Sequence, residues 1–454
     1  MADPIIAIVG AGPAGIRAAE ALARHALPAI LIDEAPKGGG QIYRQPPDFF
    51  RRPASARYGF DAGKAHALHQ TIERLASVID YRPSTLAWNV WNGRLHTLFA
   101  GRVDKVPFDI LVIATGAMDR ILPLSGWTLP GVYALGGAQI ALKYQGCAIG
   151  QRTVFLGTGP LLYLVAYQYA KAGAQIGAVL DTSPAAAKRG ALFSLASTPS
   201  MLAKGLYYRA WLATHGIAVE EGVAPMGIAG SSGVREVSYR LKGAEKTVRC
   251  DAVGLGFGLK AETQLADLAE CQFRFDEENR QWLPERNADG ESTVAGVYLA
   301  GDGGGIGGAD AAELWGERVG LAIAARCGKQ RDSRRIATID RELARLARFR
   351  AGLERAFPLT AQHLATLPDD TILCRCERIR IGETKTAIHD FSVVEINRMK
   401  AITRVGMGRC QGRMCGLAAA EVLAAETRQG VAAVGRLRGQ PPVKPMPMPW
   451  SGGS

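Results

Sequence analysis

The sequence predicts an α/β protein: two Rossmann-like dinucleotide-binding units, then a small helical domain near the C-terminus. Three observations predict it. The chain opens with a glycine-rich turn between an apolar strand and an Ala/Leu-rich helix, "PIIAIVGAGPAGIRAAEALARHALPAILIDE"; a second turn of this kind sits in "QRTVFLGTGPLLYLVAYQYAKAGAQIGAVLDTS". Half of the eight cysteines are held back for "TILCRCERIR" and "MGRCQGRMCG". Composition agrees with a multidomain globular chain, since 454 residues exceed what one core usually organises and 48% apolar with 21% charged residues is ordinary.

The first unit reads as strand, turn, helix and strand in the order that dinucleotide binding requires. Gly10 makes the tight turn, Gly12 lets the backbone approach a pyrophosphate, and Gly15 lets helix pack on strand. The helix starts at Pro13 and Ala14, where free N–H groups and the positive dipole end face the phosphates. Asp33 and Glu34 close the second strand, and a carboxylate there can accept both ribose hydroxyls. The alternation Ile30, Ile32, Glu34 favours Glu34.

Next comes "DILVIATGAMDRILPLSGWTLPGVY", a buried strand ending in Ala114, Thr115 and Gly116, then a Pro/Gly-rich crossing. The second unit repeats the turn with Gly157, Gly159 and Pro160, and Asp181 ends its second strand. Leu162 stands where the third glycine belongs, which predicts a helix pushed from its strand and a crowded pyrophosphate site. Near 293 the pattern returns as "TVAGVYLAGDGGGIGGADAAELWGERVGLAIAA", a strand, a glycine-dense turn and a long helix.

Cys374 and Cys376 form C-x-C, 33 residues pass, and Cys410 and Cys415 form C-x4-C. Two close thiol pairs can serve one metal centre. C-x-C is tighter than the usual zinc spacing, and thiolates are the normal ligands of a [2Fe–2S] cluster, so that cluster is the reading; zinc and four metal-free thiols are the alternatives. Arg375, Arg409 and Arg413 flank the ligands. Cys147, Cys250, Cys271 and Cys327 stand alone, and the seven histidines are dispersed, so no catalytic base or redox disulfide can be named. The net charge of +12 has no aromatic-interleaved basic run, which argues against nucleic acid. With no secretory leader or apolar run near membrane-spanning length, the expectation is a cytoplasmic protein. Residues 334–357 read as a basic amphipathic helix closed by Pro358 and docked under the cysteine domain; the tail "QPPVKPMPMPWSGGS" reads as extended, with Met and Trp docking on a surface.

Taken together, the early GxGxxG, the ATG after a strand, the inserted second GxG and the late GD resemble the two-dinucleotide-domain, glutathione-reductase-like flavoproteins over about residues 4–328. The resemblance implies FAD in a discontinuous first domain. Gly301 and Asp302 would hold the ribityl or phosphate part. The helix after Gly308 and Ala309 would point at the flavin's pyrimidine end, and "GGGQIYRQ", with Gly39, Gly40, Gln41 and Arg44, would run beside the isoalloxazine. The cysteine order resembles the helical domain of bacterioferritin-associated ferredoxin. As a whole, "GGGQIYRQPP", "LGTGPLLYLVA" and "CRCE…GMGRCQGRMCG" resemble the A-type chains of opine oxidases, a group that includes subunits of hydrogen cyanide synthase, D-hydroxyproline dehydrogenase and dye-linked L-proline dehydrogenase. That family implies an electron-transfer subunit beside an amino-acid-oxidase-like FAD subunit (beta) and a small gamma subunit. Tyr43 and Arg44 would line the electron entry, and the final acceptor and an interfacial FMN are left open. A self-sufficient NAD(P)H oxidoreductase and a scaffold holding a structural nucleotide such as ATP are the other readings. The implied organisation is 1–120 first FAD-domain part, 121–285 inserted second unit, 286–330 second FAD-domain part, 331–370 helical linker, 371–430 [2Fe–2S] domain and 431–454 tail.

Overall fold

The computed structural model describes residues 4–50, 52–359 and 362–447. The first strand, Ile6–Val9, is entirely buried between two parallel neighbours, Ala29–Ile32 and Ile110–Ile113. Apolar runs without alternation belong in such a sheet, because helices or loops cover both faces. The chain returns after the second unit to add Val297–Leu299 beside Ile110–Ile113, which completes a five-stranded sheet with Asp80–Arg82 at the other edge. The second sheet is also parallel and five-stranded, with Arg152–Thr158 at its centre between Gln175–Asp181 and Ala252–Phe257. The α/β class with two Rossmann-like units is therefore as the sequence predicts.

Small residues set the spacing of the first layer. A Cβ on Gly15 would lie 1.8 Å from the Gly10 carbonyl oxygen, so the Pro13–Arg24 helix can sit on its strand only with glycine there. The Ala309–Arg326 helix crosses the same helix equally closely: a Cβ on Gly316 would lie 2.0 Å from the Ala14 oxygen, and one on Gly320 2.6 Å from the Ala21 Cβ.

The cysteine domain is a hairpin, Ile372–Cys374 with Ile379–Arg380, followed by helices Ile381–Asp390, Ile396–Thr403 and Gly416–Thr427. Its apolar residues join those of the second unit in one continuous cluster that includes Leu122, Trp127, Leu156, Leu364 and Leu373. Trp127, from the crossing between the units, donates its indole N–H to the Ile372 carbonyl at 2.7 Å.

The C-terminal third departs from expectation in where its long helix lies. The Ser333–Ala356 helix is present, but it does not underlie the cysteine domain. Phe349 and Ala356 bury against Ala191 and Leu195 of the second unit, and Gly352 meets Ser194. The pattern gave the apolar stripe but carried no information about its partner. The tail does dock: Val443 is 2% exposed, donates its N–H to the Trp88 carbonyl, and packs into the core of the first domain. Its Trp450 lies outside the described residues.

Gly316→Ala should cost about 1–3 kcal/mol, the usual penalty of overpacking, because backbone rather than a movable side chain meets the new methyl group. A lowered denaturation midpoint with unchanged far-UV circular dichroism is the expected result.

Candidate functional site

A cavity of about 810 Å³ runs from the first glycine turn to the second. Gly10, Gly12, Pro13, Ala14, Asp33, Glu34, Gly40, Gln41, Arg44, Ala114, Thr115, Gly116, Asp302, Gly308 and Ala309 line it, as do Gly159 and Pro160 of the second unit. Gly15, Gly39, Gly157 and Gly301 do not reach the wall. Gly157 and Gly301 serve packing instead, against the Gly256 oxygen and between Ala14 and Ala312. The Asp302 Oδ1 accepts from the N–H groups of Gly307 and Gly308, at 2.8 and 3.0 Å, which fixes the turn ahead of the Ala309–Arg326 helix.

Asp33 and Glu34 both line the cavity, but the alternation that favoured Glu34 stops short of it. The strand ends at Ile32, so its alternation does not extend to residue 34. Asp33 turns to the glycine loop, accepting from the Ala11 N–H at 2.5 Å and the Ala35 N–H at 2.7 Å. Burial raises its carboxyl pKa and those amide bonds oppose the rise. Glu34 also lines the cavity and pairs there with Lys444 of the tail at 2.5 Å. Tyr43 is only 1% exposed and edge-on to Tyr58, a core ring on the cavity wall.

The second unit differs from expectation in two ways. Leu162 does not crowd the turn; its side chain is fully buried in the apolar core with Phe155 and Val179, away from the cavity. Asp181, expected to be free for a ribose, is fully buried and internally satisfied. Its Oδ1 accepts from the Ser183 N–H at 2.8 Å, and its Oδ2 from the Tyr163 hydroxyl at 2.6 Å and Lys188 Nζ at 2.5 Å. Phe357, just beyond the Ser333–Ala356 helix, closes this cluster, with Lys188 Nζ 5.2 Å from its ring centre. The closing ring comes from a part of the chain whose pattern gives no hint of that destination.

Several wall residues had no signal in the sequence. Burial pulls the Lys143 amine down to about 8 and pushes the Asp119 carboxyl up to about 6. Arg413 reaches the wall from the cysteine loop and pairs with Glu262 at 2.5 Å; burial would raise the Glu262 carboxyl, but the guanidinium holds it below the ordinary range. No cysteine lines the cavity.

The four late cysteines lie together. Cys374 and Cys415 are within hydrogen-bonding reach of each other, as are Cys376 and Cys410. The bond from Cys415 pulls the Cys374 thiol down to about 6. Among the described residues, no three His, Cys, Asp or Glu side chains are gathered as a single ion would require. The thiols meet two by two.

Two dinucleotide-type units sharing one cavity, with thiols outside it, define an oxidoreductase of the two-dinucleotide-domain class. Residues 4–316 match the pyridine nucleotide-disulphide oxidoreductase family, and residues 381–452 match the sarcosine oxidase A3 domain. The chain is 36% identical to the A-type chain of opine oxidase from Rhizobium meliloti, covering 97% of this chain and 86% of that one. It is 32% identical to hydrogen cyanide synthase subunit HcnB of Pseudomonas aeruginosa, covering 97% and 96%. Among solved structures, L-proline dehydrogenase from P. horikoshii superimposes with a TM-score of 0.74 at 18% identity, over 98% of this chain and 78% of that one. This chain therefore belongs to the pyridine nucleotide-disulphide oxidoreductases and, within them, to the family of the opine oxidase A-type chains and HcnB.

Lys188→Met should destabilise the chain by about 3–5 kcal/mol, since it leaves the buried Asp181 carboxylate without its cation. Equilibrium unfolding in urea checks this, and a change below about 1 kcal/mol would show that Asp181 is held adequately by Ser183 and Tyr163 alone.

Proposed function

We propose that this oxidoreductase is the electron-transfer subunit of a heteromeric amino-acid dehydrogenase or oxidase of the opine, proline or hydroxyproline type. A cavity whose wall at Arg413 belongs to the Cys410–Cys415 loop, and which no cysteine lines, carries the reading. Electrons collected in such a cavity have a direct structural path to the thiols and no disulfide to reduce. The relatives named above are subunits by description, which supports a partner that supplies the substrate site: an amino-acid-oxidase-like FAD subunit, with a small third subunit. Among the described residues no helix is long and apolar enough to cross a membrane, which suits peripheral contact with an electron acceptor.

The first unit fits FAD. A Cβ on Gly12 would meet only the Gly40 Cα, at 3.6 Å, so the turn leaves its outer side open for a pyrophosphate against the N-terminus of the Pro13–Arg24 helix. Asp33 steadies that turn through Ala11, Asp302 steadies the opposite turn, and the Ala309–Arg326 helix presents its N-terminus to the same space. A flavin held there supplies exchange between two-electron and one-electron chemistry. The paired thiols fit a [2Fe–2S] centre, where each iron takes two cysteines, better than a tetrahedral zinc site. The role of the second unit is structural in this reading. Its Asp181 is unavailable to a nicotinamide dinucleotide, which weighs against the self-sufficient NAD(P)H oxidoreductase.

Purified protein should show flavin absorbance, two irons and two acid-labile sulfides per chain. Gly12→Val should lose the flavin while remaining folded, because the added side chain enters the cradle and not the core. Cys410→Ser should lose iron and sulfide while keeping the flavin; zinc without labile sulfide would overturn the cluster assignment.

Stopped-flow reduction tests the relay. NADH, NADPH, proline, hydroxyproline and an opine should each leave the flavin of the isolated chain oxidised, and co-expression with the amino-acid-oxidase-like subunit should create amino-acid-dependent bleaching. Rapid bleaching by a nicotinamide would favour the NAD(P)H reading. Bleaching of the isolated chain by an amino acid would place the substrate site here.

A further inference from the structure

One short segment, residues 259–264, touches both the cavity and the cysteine loop. Its strand Leu259–Ala261 pairs with Ala117–Asp119, which sets Lys260 opposite Met118. Glu262 then faces both ways. Its backbone N–H donates to the Gly116 carbonyl at 2.9 Å, its carbonyl accepts from Thr115 Oγ1 at 2.6 Å, and its carboxylate takes Arg413 Nε at 2.5 Å. Gln264 Nε2 adds a bond to the Gln411 carbonyl at 2.6 Å.

Charge along this segment is unbalanced. Lys260 lines a small cavity together with Arg120, Glu262, Gly412, Arg413 and Gly416, the last of these next to Cys415. Glu262 is committed to Arg413. Arg120 is 4% exposed, and its Nε and Nη2 meet no acceptor among the described residues. Glu421, which also acts on Arg120 at longer range, is held in two bonds by Arg280, and Glu354 pairs with Arg350. Among the described residues no carboxylate forms an ion pair with Lys260. A buried cation with unpartnered donors, as Arg120 is, costs several kcal/mol, and half-buried Lys260 adds a second positive charge beside it, so this corner of the molecule suits an anion that the side chains do not supply. Four thiolates binding iron and sulfide would form such an anion, and Gly416, next to Cys415, lines the same small cavity as Lys260.

We propose that Lys260 sets the reduction potential of the centre held by Cys374, Cys376, Cys410 and Cys415, by lending it positive charge from across the domain interface. The inference rests on the [2Fe–2S] reading of those cysteines. Reduction of such a centre by one electron, which a flavin held in the neighbouring cavity would supply, would add one negative charge to it. Lys260 would offset that charge without forming a bond. Arg413 is a less informative probe because it lies within the ligand loop and holds it to Glu262 and to the Val443 carbonyl. Lys260 enters from another strand, so its charge can be removed without altering the loop.

The test is an electron-paramagnetic-resonance redox titration of the full chain, in wild type, Lys260→Met, Lys260→Gln and Lys260→Arg, with iron and labile sulfide assayed in each. Both neutral variants should make reduction about tenfold less favourable, a fall of about 59 mV for a one-electron couple, while the arginine variant stays close to wild type. Glutamine keeps a polar, hydrogen-bonding side chain and covers the case in which methionine disturbs folding. Wild-type potential in the neutral variants overturns the inference. Wild-type protein lacking two irons and labile sulfide overturns the cluster reading beneath it, independently of the potentials.

Discussion

Arg413 is held under a constraint that organises the interface of three parts of the chain. Its side chain is 10% exposed, so its donors must find acceptors inside the protein. They find Glu262 just after the Leu259–Ala261 strand beside the first unit's ATG turn, Val443 from the tail, and Cys410 from its own loop. A lysine could not serve in its place, because a point charge lacks the planar fork that engages both oxygens of Glu262 while reaching a carbonyl on another side. The cysteine loop is thus located by the same contact that finishes the cavity wall. The position of the thiols relative to the dinucleotide units follows from a side-chain fit and not from the length of the linker.

The second unit shows how a dinucleotide fold can keep its glycine turn while its terminal acid is engaged inside the protein. Gly157 still lets Arg152–Thr158 pack against its neighbour, where a Cβ would lie 1.6 Å from the Gly256 oxygen. That requirement belongs to the sheet, so the glycine stays whether or not anything binds. The terminal acid has no such duty, and here Asp181 has taken Lys188, Tyr163 and Ser183 as partners. Phe357 then covers the group from outside. A motif read from glycines alone cannot separate these cases, because the glycines answer to packing and the acid answers to ligand.

The same distinction explains what was legible in the sequence. The two β-α-β units could be read because their evidence is local: apolar runs, a turn and a helix within about thirty residues. The paired cysteines could be read because thiols that close in sequence have few other uses. The alternation that favoured Glu34 was carried past the end of its strand at Ile32, so it says nothing of which carboxylate meets a ribose. Leu162 was misjudged because a large residue in a glycine position was assumed to point at the ligand, whereas it points into the core. Glu262, Lys260, Lys143 and Asp119 were invisible for another reason. Each is an isolated polar residue whose meaning comes from residues more than ten positions away, and no periodicity records that.

The docking of the Ser333–Ala356 helix shows why long-range placement stays hidden even when an element is obvious. Its apolar stripe fixes that it must be covered, and the 3.6-residue period fixes which side. Neither fixes the partner. Gly352 allows the helix to approach Ser194 and Leu195 closely, and that approach carries its C-terminal end to the mouth of the second unit, where Phe357 can seat. The helix that leads to the cysteine domain therefore also closes the second nucleotide fold. Two parts that look separate along the chain, the approach to the cysteine domain and the cover over the Asp181–Lys188 cluster, are joined by one helix.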